Sequence, residues 1–352
     1  MPKSIFDLVT STELAAYWTT LASGEPPYLG EELWDTQQKL GLNISWIKGA
    51  SGLPAVLKPS AFDAAAIPRP RIGFDKLSAS MPYFKESMYI DEELRQELNL
   101  ILQTGNQNYI DSVMNRVFND EVRLIRSARI TRERMRMMAL TTGVISISAN
   151  GQNYAYDYGV THKGDAATKW SSTSTADPIA DIRKAIETVY TETGIKPKRG
   201  LCNGVTWQRL RNNEKIKKAI YVLTNGVGDV SDAKLRAHIA EELDGFQVAV
   251  YDNRYADETG TSTKFVADDV FTLFPEGKLG TFWFGTTPEQ SDLMASNVAN
   301  VSIVDVGVAV TTSQKVDPVN VETKVSMIGM PDFPTADSIY IMDTEPSQEV
   351  ML

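Results

Sequence analysis

Between Ser11 and Ala22 the apolar positions fit a short helix, which Gly24-Glu25-Pro26-Pro27 interrupts, and Leu42, Ile44 and Trp46 then alternate as on a strand. From Gly52 to Lys85 no helical period survives. Pro54, Pro59, Pro68, Pro70 and Pro82 punctuate text rich in Ala and Ser, which predicts an extended loop whose edges are two long strands outside any core. Asp91 can cap a helix carrying Leu94, Leu98 and Ile101 on one face. Residues 106–141 contain no Gly or Pro and predict one long helix, with Ile110, Val113, Val117, Leu124 and Ala128 in one apolar row and Phe118, Val122 and Ile125 in a second. At 1.5 Å per residue it would span about 50 Å, far beyond the average globular helix.

Thr142-Gly143 is a helix stop. Ile145, Ile147 and Ala149 alternate with polar residues, Asn150-Gly151 supplies a tight turn, and Tyr154, Tyr156 and Tyr158 alternate on the return strand of a hairpin. Asp177 caps and Pro178 opens a helix with Ile182, Ile186 and Val189 on one face, closed by Gly194. Strands follow at 200–202, 246–251, 264–267, 270–274 and 279–284, with helices around Trp207 and over 231–243. Val304, Val306, Val308 and Val310 alternate, Asp317-Pro318 turns, and Val319, Val321, Thr323 and Val325 alternate back towards the layer of the long helix. The fold class is α+β in two lobes, one of them built on that helix.

The chain has 352 residues, 42% apolar and 23% charged, which excludes a disordered or fibrous protein. Its net charge of −10 argues against global nucleic-acid binding. A lone cysteine, Cys202, excludes an intrachain disulfide and a cysteine-based metal site and points to a reducing compartment. Asp7 and Glu13 break any signal-peptide core, and Val301–Val310 contains Asp305 and is too short to span a bilayer. His162 and His238 lack metal-ligand spacing, and Asn225-Gly226-Val227-Gly228 is not a dinucleotide loop. Neighbouring carboxylates at Asp268-Asp269 and Glu241-Glu242 point apart. No catalytic, cofactor or metal site is predicted. Charge is instead segregated. The loop 52–85 carries Lys58, Arg69, Arg71, Lys76 and Lys85 against Asp63 and Asp75, and the next stretch carries Glu86, Asp91, Glu92, Glu93 and Glu97 against Arg95. The long helix carries Arg116, Arg123, Arg126, Arg129, Arg132, Arg134 and Arg136. Basic and acidic runs side by side are self-complementary in a ring of identical subunits, which predicts arginine–carboxylate pairing between copies.

Leu42-Asn43-Ile44 leading into the extended loop, Trp170 followed by Asp177-Pro178-Ile179-Ala180-Asp181-Ile182, then Leu273-Phe274-Pro275-Glu276-Gly277-Lys278-Leu279-Gly280 and the Val/Thr-rich final strands resemble a known family in their order and diffuse text. It is that of the Hong Kong 97-type phage major capsid proteins, above all the lambda-type (phage major capsid protein E) group. The resemblance implies an N-terminal arm (1–51), an extended loop (52–85), a peripheral domain (86–176 and 298–352) with spine helix 106–141, and an axial domain (177–297). It implies a non-enzymatic shell protein that forms hexamers and pentamers of a tailed-phage head around double-stranded DNA, which it contacts non-specifically. Separate scaffold and portal proteins, a possible decoration protein, no cofactor and no membrane go with it, as does a place in the virion after assembly in the host cytoplasm. About fifty residues precede the loop, too few to add a fused scaffolding segment. Contacts between subunits are expected at Lys58, Arg69, Arg71, Phe74, Lys76, Glu86, Glu92, Glu93, Arg123, Arg126, Arg132 and Arg136. The alternatives are an encapsulin-like compartment shell and, from another class, a hydrolase using scattered carboxylates.

Overall fold

The computed structural model describes residues 10–48, 75–90, 92–93, 96, 99–100, 107–222, 228–294, 299–317 and 319–346. The chain divides into one compact unit of residues 1–44, 78–135 and 281–332 and a second of residues 45–77, 136–280 and 333–352. The elements of the first quarter of the chain are α1 (Ser11–Ala22), α2 (Leu29–Leu33), β1 (Trp34–Gln38), β2 (Asn43–Lys48), β3 (Asp75–Ser80) and β4 (Tyr83–Ile90), followed by the long helix α3 (Gln107–Thr142). β2 and β3 pair as a two-stranded sheet that brackets residues 49–74.

In the first unit, β13 (Gly280–Phe284), β14 (Asn300–Val304), β15 (Val308–Val316) and β16 (Val319–Pro331) join β1 in the order β1-β13-β16-β15-β14, with β4 also alongside β16. β16 is long enough to serve both edges. β15 takes one edge, from Val308 opposite Met327 to Val316 opposite Val319. The other edge is shared by β4, from Ile90 opposite Val321 to Tyr83 opposite Ile328, and by β13, with Phe282 opposite Pro331. Side chains alternate across such a sheet. One face therefore presents Val308, Val310, Val321, Val325 and Met327, all buried; α1, with Leu14 and Trp18 buried, packs on β14 and β15, and Val122 and Ile125 of α3 are buried too.

Two expectations change here. Residues 83–85 are not loop but open β4, half-buried at Tyr83 and Phe84 and exposed at Lys85; hydrogen bonding to the β16 edge outweighs the loop-like text before it. Val306 does not continue an alternating strand. Asp305 (φ +50°) and Gly307 (φ +131°) turn the chain between β14 and β15, leaving Val306 exposed at the tip. A Cβ on Gly307 would stand 2.7 Å from Phe284 Cβ, so the turn needs glycine on both steric and dihedral grounds. The helix expected from Asp91, with Leu94, Leu98 and Ile101, falls largely outside the described residues.

The second unit opens with the hairpin β5 (Val144–Ala149) and β6 (Gln152–Asp157), turned by Asn150 (φ +51°) and Gly151 (φ +72°) as the Asn-Gly text demands. β7 (Lys163–Asp165), β8 (Arg199–Cys202), β9 (Gln247–Val250), β12 (Val270–Phe274) and β17 (Tyr340–Asp343) form a sheet in the order β7-β17-β12-β8-β9, with β10 (Arg254–Ala256) and β11 (Ser262–Lys264) paired apart. The helices α4 (Pro178–Thr193), α5 (Gly204–Asn212), α6 (Glu214–Ile220) and α7 (Asp232–Glu242) start behind Asp177, Asn203, Asn213 and Ser231, each side chain accepting a first-turn N–H. Trp170, Ile182, Trp207, Leu235, Phe246 and Phe271 form the core. The recognisable strings are structural here. Trp170 Nε1 donates to Asp181 at 2.9 Å, and Arg199 lies over the Phe274 ring while its guanidinium donates to the Pro275 carbonyl at 2.7 Å. β17 is an inner strand of this sheet, so residues 333–346 group with the 136–280 part of the chain rather than with the layer of β14–β16. Among the described residues no helix is long and apolar enough to cross a membrane.

Asn213 is fully buried, accepts from Ile216 N–H at 3.1 Å and donates to the Ala176 carbonyl at 3.1 Å. Asn213→Ala removes a cap and orphans a buried carbonyl. The expected loss is about 1–3 kcal/mol in denaturant unfolding, against less than about 0.5 kcal/mol for exposed Asn212→Ala.

Candidate assembly surfaces

An arginine row on α3 organises the first unit. Arg126, Arg129 and Arg132 recur every three residues and so share one helix face. Arg126 donates to Glu25 at 2.6 Å; Arg129 donates to Glu25 at 3.0 Å and to Glu31 at 2.7 Å, with its guanidinium over the Tyr28 ring. Glu133, one turn on, accepts the Gly30 N–H at 3.0 Å. Residues 25–33 are thereby strapped along the helix. Arg132 reaches the β14–β15 turn, donating to Asp305 Oδ2 at 2.7 Å, while Trp18 Nε1 donates to Asp305 Oδ1 at 3.2 Å. Asp305 thus joins α1, α3 and the sheet. The Arg129 side chain is only 9% exposed and that of Arg132 only 6%, and guanidiniums this buried are tolerable only when paired. Burial pushes the Glu31 carboxyl up, but the Arg129 hydrogen bond and charge outweigh it and hold Glu31 below its usual value.

A second polar cluster sits on the opposite face of the sheet. Glu289 opens a single π-turn (Glu289–Leu293) and is 3% exposed. It accepts from Lys324 at 2.7 Å, Ser326 Oγ at 2.8 Å and Tyr83 OH at 3.0 Å, tying β4 and β16 to the segment after β13. Burial pushes its carboxyl up, but Lys324, a backbone hydrogen bond, Ser326 and Tyr83 together carry it from 4.5 down to about 2. Burial and the neighbouring Glu289 charge push the Tyr83 hydroxyl up to about 12. Ser326 is 1% exposed, so the cluster is closed to a substrate and acts as a rivet.

The expected contact residues separate into groups. Lys58, Arg69, Arg71 and Phe74 lie outside the described residues, and Lys76 is placed only as part of the strand β3. Glu86 is exposed on β4, Glu92 and Glu93 are exposed beyond it, and Arg123 is exposed on α3. Glu92 also accepts the Val319 N–H at 3.0 Å. Within the subunit Arg132 and Arg136 are buried, while the Arg126 side chain stays 42% exposed. Arg126 and Arg132 are held by Glu25 and Asp305 of the same chain, and Arg136 is 1% exposed. Residues 10–38 are correspondingly no free arm, since Leu14, Trp18, Leu33 and Trp34 are buried in the first unit. Sequence reading missed Glu25, Glu31, Asp305 and Glu289. The spacing of three arginines on one face was the available signal that carboxylates had to meet them. In the second unit, His162 Nε2 lies 3.0 Å from Glu192, and a shallow cleft at Gly204, Gln208 and Arg254 is closed on one side by Asp252, which accepts the Gly204 N–H.

A family model described as phage major capsid protein E matches residues 10–343. Among solved structures, a prophage protein of Escherichia coli CFT073 assigned as a capsid protein aligns at 16% identity, covering 95% of this chain and 99% of that one with a TM-score of 0.59. The capsid chain of cyanophage A-1(L) aligns at 13% identity over 92% and 93%, with a TM-score of 0.54. A phage-related protein of Bordetella bronchiseptica RB50 aligns at 12% identity over 96% and 99%, with a TM-score of 0.53. No curated protein sequence matches the chain.

Arg129→Ala strands Glu31 and leaves Glu25 to Arg126 alone, and is expected to cost the isolated subunit about 3 kcal/mol in urea unfolding, before any assembly. A cost under about 0.5 kcal/mol would show that the strap does not hold the unit. Glu289 has a folded-state value below its unfolded one, so its contribution is complete above about pH 4.5 and drains away as pH falls towards 2. Glu289→Gln is therefore expected to remove of order 2 kcal/mol at pH 7 and to flatten the loss of stability between pH 5 and 2, measured by urea titration at each pH.

Proposed function

Because the chain belongs to the phage major capsid protein E family, we propose that its working form is a shell of hexamers and pentamers in which residues 52–74 of each subunit lie against a neighbour. The protein is a major capsid protein of a tailed bacteriophage with the Hong Kong 97-type fold, a virion component that self-assembles into the head enclosing the genome. The observation that carries this is the match of a single capsid family across 10–343, on a fold shared end to end with capsid chains.

The finer reading rests on chemistry. The proline-rich segment carries Val56, Leu57, Phe62, Ile67, Ile72 and Phe74, too many apolar residues for a solvated loop, so they call for a partner surface. About 800 Å² buried per partner would make a standard interface, and repetition around every ring makes weak contacts cooperative. The boundary of this segment is drawn at 74, because β3 and β4 belong to the folded subunit. Residues 78–135 and 281–332 supply the peripheral domain and residues 177–280 the axial one in this reading, with the last strand, β17, on the axial sheet. The net charge of −10 leaves packaged DNA free to slide, contacted without sequence preference. The subunit carries no catalysis of its own in this scheme, and scaffold, portal and decoration proteins are separate chains that meet it in the host cytoplasm.

Electron microscopy of the purified protein is expected to show icosahedral shells or ring-shaped capsomers; a discrete monomer at all concentrations contradicts the shell. Replacing residues 54–73 by a short Gly-Ser turn is expected to leave a folded subunit, by circular dichroism, that no longer assembles. Intact shells from that variant would remove the segment from the interface.

A further inference from the structure

Asparagine followed by glycine occurs at 150–151, 203–204 and 225–226; the last pair lies outside the described residues, and the fold treats the other two differently. Asn203, the cap of α5, is fully buried. Its Nδ2 donates to the Val266 carbonyl at 3.1 Å and to Asp268 at 2.6 Å, and its Oδ1 accepts the Thr206 N–H at 3.1 Å. The next amide, Gly204 N–H, is taken by Asp252 at 2.7 Å. Asn150 and Gly151 are instead exposed at the tip of the β5–β6 hairpin. Among the described residues no hydrogen bond engages the Asn150 side chain or the Gly151 N–H, and nothing stands within 4 Å of a Cβ placed on Gly151.

We infer that Asn150 is a site of spontaneous covalent modification, converted to aspartate and isoaspartate in the folded protein, and that the fold protects Asn203 from the same reaction. The inference goes beyond the shell reading and does not depend on it. The Gly151 backbone nitrogen gives up its proton and attacks Asn150 Cγ. The Cγ–Nδ2 bond breaks, Nδ2 leaves as ammonia with that proton, and a five-membered imide remains. Water then opens the imide at either carbonyl, giving aspartate or an isomer whose main chain runs through Cβ. Water is the only co-reactant, and nothing is oxidised or reduced. Glycine matters because it has no side chain to shield the attacking nitrogen and adds backbone freedom. The turn at φ +51° and +72° must rotate out of its resting shape for the nitrogen to reach Cγ. That opening is cheap here, because β5 and β6 form a two-stranded sheet joined to no other and such a hairpin frays at its tip. Ile145 and Ile147, buried further down, hold the rest of it in place. Asn203 has no such route, since its hydrogen bonds in the core break only in openings near the cost of global unfolding. The product adds a negative charge at the tip, and the isoaspartate form adds a main-chain atom to a two-residue turn, which the Ala149–Gln152 pair cannot accommodate in register.

Ageing of the full-length chain tests this, with the two residues serving as each other's control because both precede glycine. Dilute native subunits and the same protein in concentrated urea are incubated side by side in mildly alkaline buffer. Timed samples are digested, and the peptides carrying residues 150 and 203 are followed by mass spectrometry after chromatography that separates aspartate from isoaspartate. In the native protein Asn150 is expected to react at least about tenfold faster than Asn203, with isoaspartate among its products, and in urea the two rates are expected to fall within about threefold of each other. Asn150 that stays intact in the native protein while it reacts in urea overturns the inference, as do equal native rates. A native difference that persists unchanged in urea also overturns it, because local sequence and not the fold would then set the rates.

Discussion

A helix of 36 residues with buried guanidiniums can exist only if each of those charges is met inside the subunit, and the first unit is arranged around that requirement. Arg126 and Arg129 draw in Glu25 and Glu31 from the segment after α1, and Arg132 draws in Asp305 from the β14–β15 turn. These pairs fix the path of residues 25–33 and the position of the hairpin, and Trp18, bonded to the same Asp305, sets α1 against both. Withdrawing Glu31 or Asp305 would cost Arg129 or Arg132, both largely shut away from water, a charge partner.

The sheet is built as a two-faced layer on top of that frame. Its apolar face carries buried Val308, Val310, Val325 and Met327, with α1 packed on β14 and β15, and hydrophobic burial there supplies non-directional cohesion. Its other face carries the Glu289, Lys324, Ser326 and Tyr83 cluster, which is directional and sets register between β4, β16 and the π-turn. The second unit solves a different problem. Its caps and the Trp170–Asp181 and Arg199–Pro275 contacts all serve to hold an α/β layer together, and none of them is arranged around a reacting atom.

Much of this was legible in the residues. Asp177-Pro178 and Gly194 bounded α4 to the residue because capping is local chemistry, and Asn150-Gly151 dictated its hairpin for the same reason. The long helix followed from two apolar rows and the lack of Gly and Pro, and the diffuse strings at Trp170 and Leu273 were enough to suggest the family that the chain belongs to. The Val306 strand was misread because valine alternation is blind to the positive φ of Asp305 and Gly307. The start of β4 was hidden because loop-like text before Tyr83 masks a strand that exists only when β16 is beside it.

Periodicity, caps and turns depend on neighbours within a few residues, so sequence alone determined the longer helices, most strands, the α+β class and the presence of an arginine-rich helix face, but not the short α2 and α6. Which carboxylates meet those arginines depends on residues about 100 to 170 positions away, as Arg126 with Glu25 and Arg132 with Asp305 show, and no local pattern encodes that choice. Larger separations still, roughly 180 positions between β7 and β17 and roughly 240 between β4 and β16, mean that strand order was decided only when the chain closed on itself. The arginine row became a set of internal struts, because loop closure within one chain brings Glu25, Glu31 and Asp305 to the helix at far higher effective concentration than a second molecule can.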